Sequence, residues 1–315
     1  MRVLITGAGG QLAADLIRAF EDAGHETIGL RREDLDVADE TAVSVRLAKA
    51  RPDVILNTAA YNRVDDAERA VDAAYAANAF GPRALARVAA DLDALLVHYS
   101  TDYVVEGTKR TPYGEDDAPL PLSVYAASKL GGEHFVRATA PHHYVLRVCG
   151  LFGLAGRGTR HGNFVETMLR VAAAGRPLRV VADQMMAPTA TADVAAATLG
   201  LFDHRAPYGL YHCTAAGETS WYEYARAIFE LAGVPADLTP TTAAQYGAAA
   251  RRPDYSVLDN AKLEAAGVAR PRHWRDALAA YLTVRATDAA AAAGDAAPAV
   301  ERQLPGTQDQ GQGER

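Results

Sequence analysis

Cysteine is nearly missing from this chain. Cys149 and Cys213 are the two present, with no CxxC pair and no histidine at ligand spacing. Neither a disulfide framework nor a zinc site is indicated, and a reducing, cytoplasmic setting is expected. Long hydrophobic runs are missing too. The apolar stretch at the start is short and ends in Gly7, unlike a signal peptide, and no run reaches the length of a membrane span. There is also no block of one charge. The formal net charge of -7 is spread along the chain, which argues against nucleic acid or a membrane surface as a partner and for a small-molecule substrate.

What the chain does have is alternation. Short apolar runs at 3–6, 27–30, 54–58, 95–100 and 144–148 are interleaved with helical patterns at 12–23, 41–50, 67–78, 81–90 and 125–139. This rhythm predicts an α/β fold with a doubly wound parallel sheet of the Rossmann type. After Cys149 the rhythm loosens into a Gly-rich loop at 150–162, a helix at 163–174 and a strand at 178–181. Ser220-Trp221-Tyr222-Glu223 is a capping box that opens another helix. The expected division is an NAD(P)-binding domain of 1–148 plus about 178–203, and a smaller α+β substrate-binding domain of about 149–177 plus 204–284. Residues 285–315, poor in bulky apolar side chains, read as a disordered tail.

Gly7-Ala8-Gly9-Gly10-Gln11-Leu12-Ala13 follows the first strand and opens a helix. Backbone N–H groups and the helix dipole at such a turn hold a pyrophosphate, and glycines let the backbone approach it. Gly7, Gly10, Gln11 and Leu12 are therefore candidate cofactor contacts. The second strand ends in Arg31-Arg32, where an NAD site usually places an acidic residue, so NADPH is favoured with NADH as the alternative. Asp36 and Val37 are candidates for the adenine edge, and Ala59 and Ala60 for lining the cofactor path.

Tyr125 and Lys129 stand four residues apart on one helix face, and Ser100-Thr101-Asp102-Tyr103 ends the preceding strand. These make a carbonyl-reducing site. Thr101 would bond the substrate oxygen, Tyr125 would exchange its proton, and Lys129 would hold the nicotinamide ribose while lowering the Tyr125 pKa. Bringing a tyrosine from about 10 to about 7 needs roughly 4 kcal/mol. One ammonium at about 4 Å, with an effective dielectric near 20, supplies about that amount.

These motifs resemble the extended short-chain dehydrogenase/reductases, and within them the dTDP-4-dehydrorhamnose reductase family. The resemblance runs from Met1 to about Leu282. It is carried by Gly7-xx-Gly10-Gln11-Leu12, Ser100-Thr101-Asp102-Tyr103-Val104, Tyr125-xxx-Lys129, Gly162-Asn163-Phe164, Ala187-Pro188-Thr189 and Ala250-Arg251-Arg252-Pro253. It implies reduction of the 4-keto group of a dTDP-6-deoxyhexulose, with Thr101, Tyr125 and Lys129 as catalytic residues. Tyr103, Asn163 and Arg252 are the implied substrate contacts, and Asn78 a structural or relay position. It leaves a homodimer open, and no ligand cluster for a metal is visible. One departure stands out: where the family often carries Thr-Ser-Trp-Val-Tyr, this chain has Val148-Cys149-Gly150-Leu151-Phe152. Arg157, Arg160 and His161 in the following loop are read as solvent-facing more than phosphate-binding, and His98 and His212 as core residues. The competing readings are a nucleotide-sugar 4-epimerase, a dehydratase, or a non-catalytic NADP-binding regulatory subunit. Tyr103 stands where dehydratases place glutamate.

Overall fold

The computed structural model of the chain describes residues 1–158 and 162–294. Its strands, in chain order, are β1 (Arg2–Thr6), β2 (Glu26–Leu30), β3 (Val54–Asn57), β4 (Leu95–Thr101), β5 (His143–Val148), β6 (Leu178–Val181), β7 (Met185–Met186), β8 (Gly209–His212), β9 (Thr219–Ser220) and β10 (Leu238–Thr241). The helices are α1 (Gln11–Asp22), α2 (Glu40–Ala50), α3 (Val64–Ala67), α4 (Val71–Tyr75), α5 (Gly81–Asp91), α6 (Val124–Thr139), α7 (Phe164–Ala173), α8 (Thr191–Asp203), α9 (Trp221–Ala232), α10 (Ala243–Tyr246), α11 (Ala261–Ala265) and α12 (Trp274–Gly294).

The large sheet has the order β2-β1-β3-β4-β5-β8, every neighbouring pair parallel. Strands covered on both faces read as continuous apolar runs, as β1 and β3 do here. Alternate side chains then serve opposite layers. Val3, Ile5, Val54, Leu56 and Val97 pack with Leu16 and Phe20 of α1 and with Val194 and Leu201 of α8. Leu4, Ile55, Leu96 and Val145 pack with Val43 and Leu47 of α2, Leu85 of α5 and Val136 of α6. Because β2 and β3 flank β1 on opposite sides, the loops leaving β1 and β3 diverge and open a crevice at their carboxyl ends.

A second core joins Val165 and Met168 of α7, Leu178 and Val180 of β6, Tyr224 and Ile228 of α9, and Trp274 and Leu278 of α12. Several boundaries differ from the sequence division. β8 belongs to the large sheet, since Tyr211 and Leu210 fill its two opposite layers. β6 leaves that sheet, pairs with β10 and buries its apolar side chains in the second core. Part of the expected tail is ordered: residues 285–294 continue α12, and Arg285 is held by the Glu166 carboxylate at 2.7 Å. Residues 295–315, the remainder of the expected tail, lie outside the described residues.

The sequence pattern at 67–78 also resolves differently. A π-helical turn, Ala76–Phe80, fuses α4 to α5. Pro82 has no N–H to give the Asn78 carbonyl, so the ladder there widens. Gly132 of α6 closes on that carbonyl so tightly that a Cβ would lie 2.2 Å from it. Among the described residues no helix is long and apolar enough to cross a membrane.

Candidate active site

The crevice at β1 is built on a glycine turn. Gly7 has φ +69°, and a Cβ on it would stand 2.8 Å from the Ala59 nitrogen at the end of β3, so a side chain there meets both backbone strain and a clash. The Gly10 N–H closes the turn on the Gly7 carbonyl at 2.9 Å. Gly10 is the N-cap of α1, with no side-chain cap and no acidic residue in the first turn, so the helix presents bare amides to the crevice. Gly7, Gly9, Gly10, Arg31, Arg32 and Glu33 line a cleft of about 450 Å³.

Most of the other cofactor candidates surround this cleft or support it. Arg31 reaches Glu33 at 3.8 Å and Arg32 reaches Asp36 at 3.3 Å, both as exposed pairs of the kind that exchange readily. Asp36 also accepts the Ala38 N–H. Val37 is buried against Gly81, and Leu12 is buried in the core beneath the sheet, leaving its backbone as the part that faces the turn. Ala59 is the residue that abuts Gly7, while Ala60 is exposed. Gln11 donates to the Leu151 carbonyl at 2.9 Å and accepts from Asn163 at 3.2 Å. These residues fit a phosphorylated dinucleotide: a tight anion-binding turn, bare helix amides and two guanidiniums displaced to one side.

Thr101, Tyr125 and Lys129 come together at the carboxyl end of β4. Ser123 caps α6 by accepting the Ala126 N–H, which sets the helix phase just before Tyr125. Asn78 then fixes that helix to the neighbouring loop. Its side chain bonds both backbone groups of Tyr61 and donates to Ser128 Oγ at 3.0 Å, and Ser128 in turn donates to the Tyr125 carbonyl. The Thr101 hydroxyl lies close enough to the Tyr125 phenol to lower its pKa. The Tyr103 ring meets the Tyr125 ring edge-on, centroids 6.3 Å apart.

The electrostatics depart from the sequence expectation. Burial pushes the Tyr125 phenol up to about 12, with Thr101 pulling down and Asp102 pushing up. The Lys129 ammonium donates to the Tyr99 carbonyl and is itself brought down to about 8 by burial, against the pull of Glu133. Desolvation therefore outweighs the expected ammonium effect, and the phenol is protonated at neutral pH. Asp102 accepts from Thr101 at 3.1 Å and from Ser256 at 2.6 Å, and burial raises it to about 6.

A second cavity, about 660 Å³, lies beyond Tyr103, between that residue and the second core. Phe164 and Trp221, with ring centroids 4.8 Å apart, contribute to its apolar lining, and Arg179, Arg251 and Arg252 to its charge. Arg252 is paired in bidentate fashion with Asp65, at 2.8 and 3.0 Å, and holds it below the usual carboxylate range. Of the expected substrate contacts, Tyr103 and Arg252 line this cavity. Asn163 does not: it is buried, caps α7 through Glu166 N–H and donates to the Gly153 carbonyl and to Gln11.

The family model described as "RmlD substrate binding domain" matches residues 1–286. The chain belongs to that family. It is 41% identical over 286 residues to the spore coat polysaccharide biosynthesis protein SpsK of Bacillus subtilis, covering 91% of this chain and 98% of that one. It is 40% identical over 279 residues to a dTDP-4-dehydrorhamnose reductase of Mycolicibacterium smegmatis, covering 88% and 84%. The crystal structure of a dTDP-4-dehydrorhamnose reductase from Bacillus anthracis in complex with NADP superposes with a TM-score of 0.84 at 34% identity, covering 90% of this chain and 99% of the other.

Within this RmlD-type frame, several residues take places the sequence did not assign. Phe152, in the segment that departs from the family pattern, is buried edge-on to Tyr281 in the second core instead of facing the cleft. Gly150 has φ +49° and passes close to Pro188. Trp221 both packs on the second core and lines the cavity, whereas Tyr224 is core. Arg157 pairs with Asp288 at 3.4 Å, and Arg160 and His161 lie outside the described residues. His98 and His212 are fully buried, and burial holds His212 down to about 3. Asp65, Glu33 and Ser256 went unread, because each gains its meaning from a distant partner or from a cleft that only the fold assembles.

Proposed function

We propose that this chain is an NADPH-dependent reductase of the 4-keto group of a dTDP-linked 6-deoxyhexulose, as in the step from dTDP-4-dehydrorhamnose to dTDP-L-rhamnose. The observation that supports the reading is a grouping: Thr101 ends β4, Tyr125 and Lys129 stand one turn apart on α6, and Tyr103, whose ring meets that of Tyr125, lines the cavity with aromatic walls and three arginines. The names and the NADP complex of its relatives support the same chemistry.

Gly7, Gly10, the first amides of α1, and Arg31 with Arg32 at the 2′-phosphate would hold NADPH, which when bound would provide the hydride. Thr101 and Tyr125 bond the substrate oxygen and polarise its carbonyl. A phenol held near 12 stays protonated at neutral pH, which is the form needed to donate to the oxygen as it becomes an alkoxide. Lys129, whose ammonium donates to the Tyr99 carbonyl beside Thr101 and Tyr125, would bond the nicotinamide ribose. The cofactor half is the large sheet with its helices, and the substrate half is the second core.

The test follows NADPH absorbance with enzymatically prepared dTDP-4-keto-L-rhamnose. Wild type oxidises NADPH, and Tyr125→Phe lowers kcat by about 100-fold or more while NADPH binding persists. Unchanged turnover in the variant would sink the assignment of Tyr125.

A further inference from the structure

The 660 Å³ cavity has an excess of positive groups, and one of them is already engaged. The Arg252 guanidinium uses two N–H groups on the two oxygens of Asp65 and bonds the Ala250 carbonyl at 3.0 Å. Arg179 and Arg251 line the same cavity and have no carboxylate partner among the described residues. The carboxylate that occupies Arg252 is firmly presented. Asp65 stands on α3, just beyond Tyr61, whose backbone Asn78 holds at both N–H and carbonyl, and Asp65 also accepts the Ala250 N–H at 3.0 Å. Neither partner is sealed from the cavity: the Arg252 and Asp65 side chains are 20% and 46% exposed.

We propose that Asp65 is a specificity residue for the charged part of the substrate, a built-in competitor that holds Arg252 until a ligand carrying a diphosphate displaces it. This rests on the nucleotide-sugar reading above. A planar guanidinium accepts a carboxylate or a phosphate with the same two-pronged geometry. A single anionic group gains little by replacing Asp65, because it trades one such pair for another. A diphosphate reaches Arg179 or Arg251 at the same time and displaces the carboxylate through the added contacts. Asp65 thereby filters out monoanions and keeps Arg252 in place while the cavity is free.

The experiment is calorimetric titration of the full chain with dTDP, dTMP and thymidine, comparing wild type with Asp65→Asn, Asp65→Ser and Arg252→Ala. The two neutral variants at Asp65 lose both the competitor and its repulsion of phosphate. The dTDP Kd is expected to tighten by about fivefold, that of dTMP by more than that, and that of thymidine to stay the same. Arg252→Ala weakens dTDP without affecting thymidine, and removes the effect of Asp65→Asn when the two are combined. Unchanged or weaker dTDP binding in both neutral variants overturns the proposal and makes the pair a structural strut. A wild type with no affinity for dTDP or thymidine overturns the nucleotide-sugar reading itself, and the proposal with it.

Discussion

Removing the Glu133 carboxylate is expected to cost about 3–5 kcal/mol of folding stability. Glu133 and Arg147 form a fully buried bidentate pair, with side chains 0% and 2% exposed and N–O distances of 2.8 and 3.0 Å. Ser100 donates to the same carboxylate, and His212 approaches the guanidinium at 3.5 Å without being able to neutralise it. In Glu133→Gln the buried guanidinium remains charged and loses the carboxylate paired to it. Such a loss is about a third or more of the stability of an ordinary domain. The double variant Glu133→Leu/Arg147→Met buries no charge and is expected within about 1.5 kcal/mol of wild type. Urea unfolding followed by tryptophan fluorescence measures both. A single-variant loss below about 1 kcal/mol, or a double variant no more stable than the single one, would refute the reasoning. The pair also matters for chemistry, because it joins α6 one turn past Lys129 to β5 and, through Ser100, to the residue beside Thr101.

Replacing Arg31 and Arg32 together by alanine is expected to raise the KM for NADPH by roughly tenfold or more while leaving that for NADH nearly unchanged, since charge-assisted bonds to a phosphate are lost; an unaltered NADPH/NADH preference in steady-state kinetics counts against the 2′-phosphate assignment. For Asp102, burial raises the folded carboxyl to about 6 from the ordinary 3.8, so between these values the folded chain keeps a proton that the unfolded chain has released. Its contribution to stability is therefore greatest below about pH 4, falls as pH rises to about 6 and is level above that, a total of about 3 kcal/mol. Subtracting the stability of Asp102→Asn from that of wild type at each pH isolates this slope, and a difference that stays flat from pH 4 to 6.5 contradicts it.

The large sheet was legible because its strands are apolar runs at regular intervals, and the grouping of the proposed site because Thr101, Tyr125 and Lys129 sit at fixed positions relative to a strand end and a helix face. What periodicity could not convey was membership. Leu178 to Val181 and Gly209 to His212 are both short apolar strands, and nothing in their residue types says that the first pairs with β10 and the second with β5. The Tyr125 pKa was misjudged for a related reason. Spacing gives the distance between Tyr125 and Lys129 along a helix, but not the desolvation of either group or the Tyr99 carbonyl that takes the ammonium. Asn163 looked like a ligand contact and is instead a helix cap, a role that a polar residue before an apolar run also predicts.

The path of the chain between its two cores limits how the protein can move. It leaves the first core between Val148 and Cys149, returns between Ala190 and Val194, leaves again between Cys213 and Ala215, returns by Leu263 and leaves a last time between Val268 and Trp274. Two bodies on one hinge would open like a jaw, but two bodies stitched together five times resist that motion. Neither half is a continuous stretch of sequence that can be cut out and expressed alone, and heat is expected to melt both in a single step. Access to the cleft must then come from side chains and short loops, with the exchange at Arg252 being a movement of the right size.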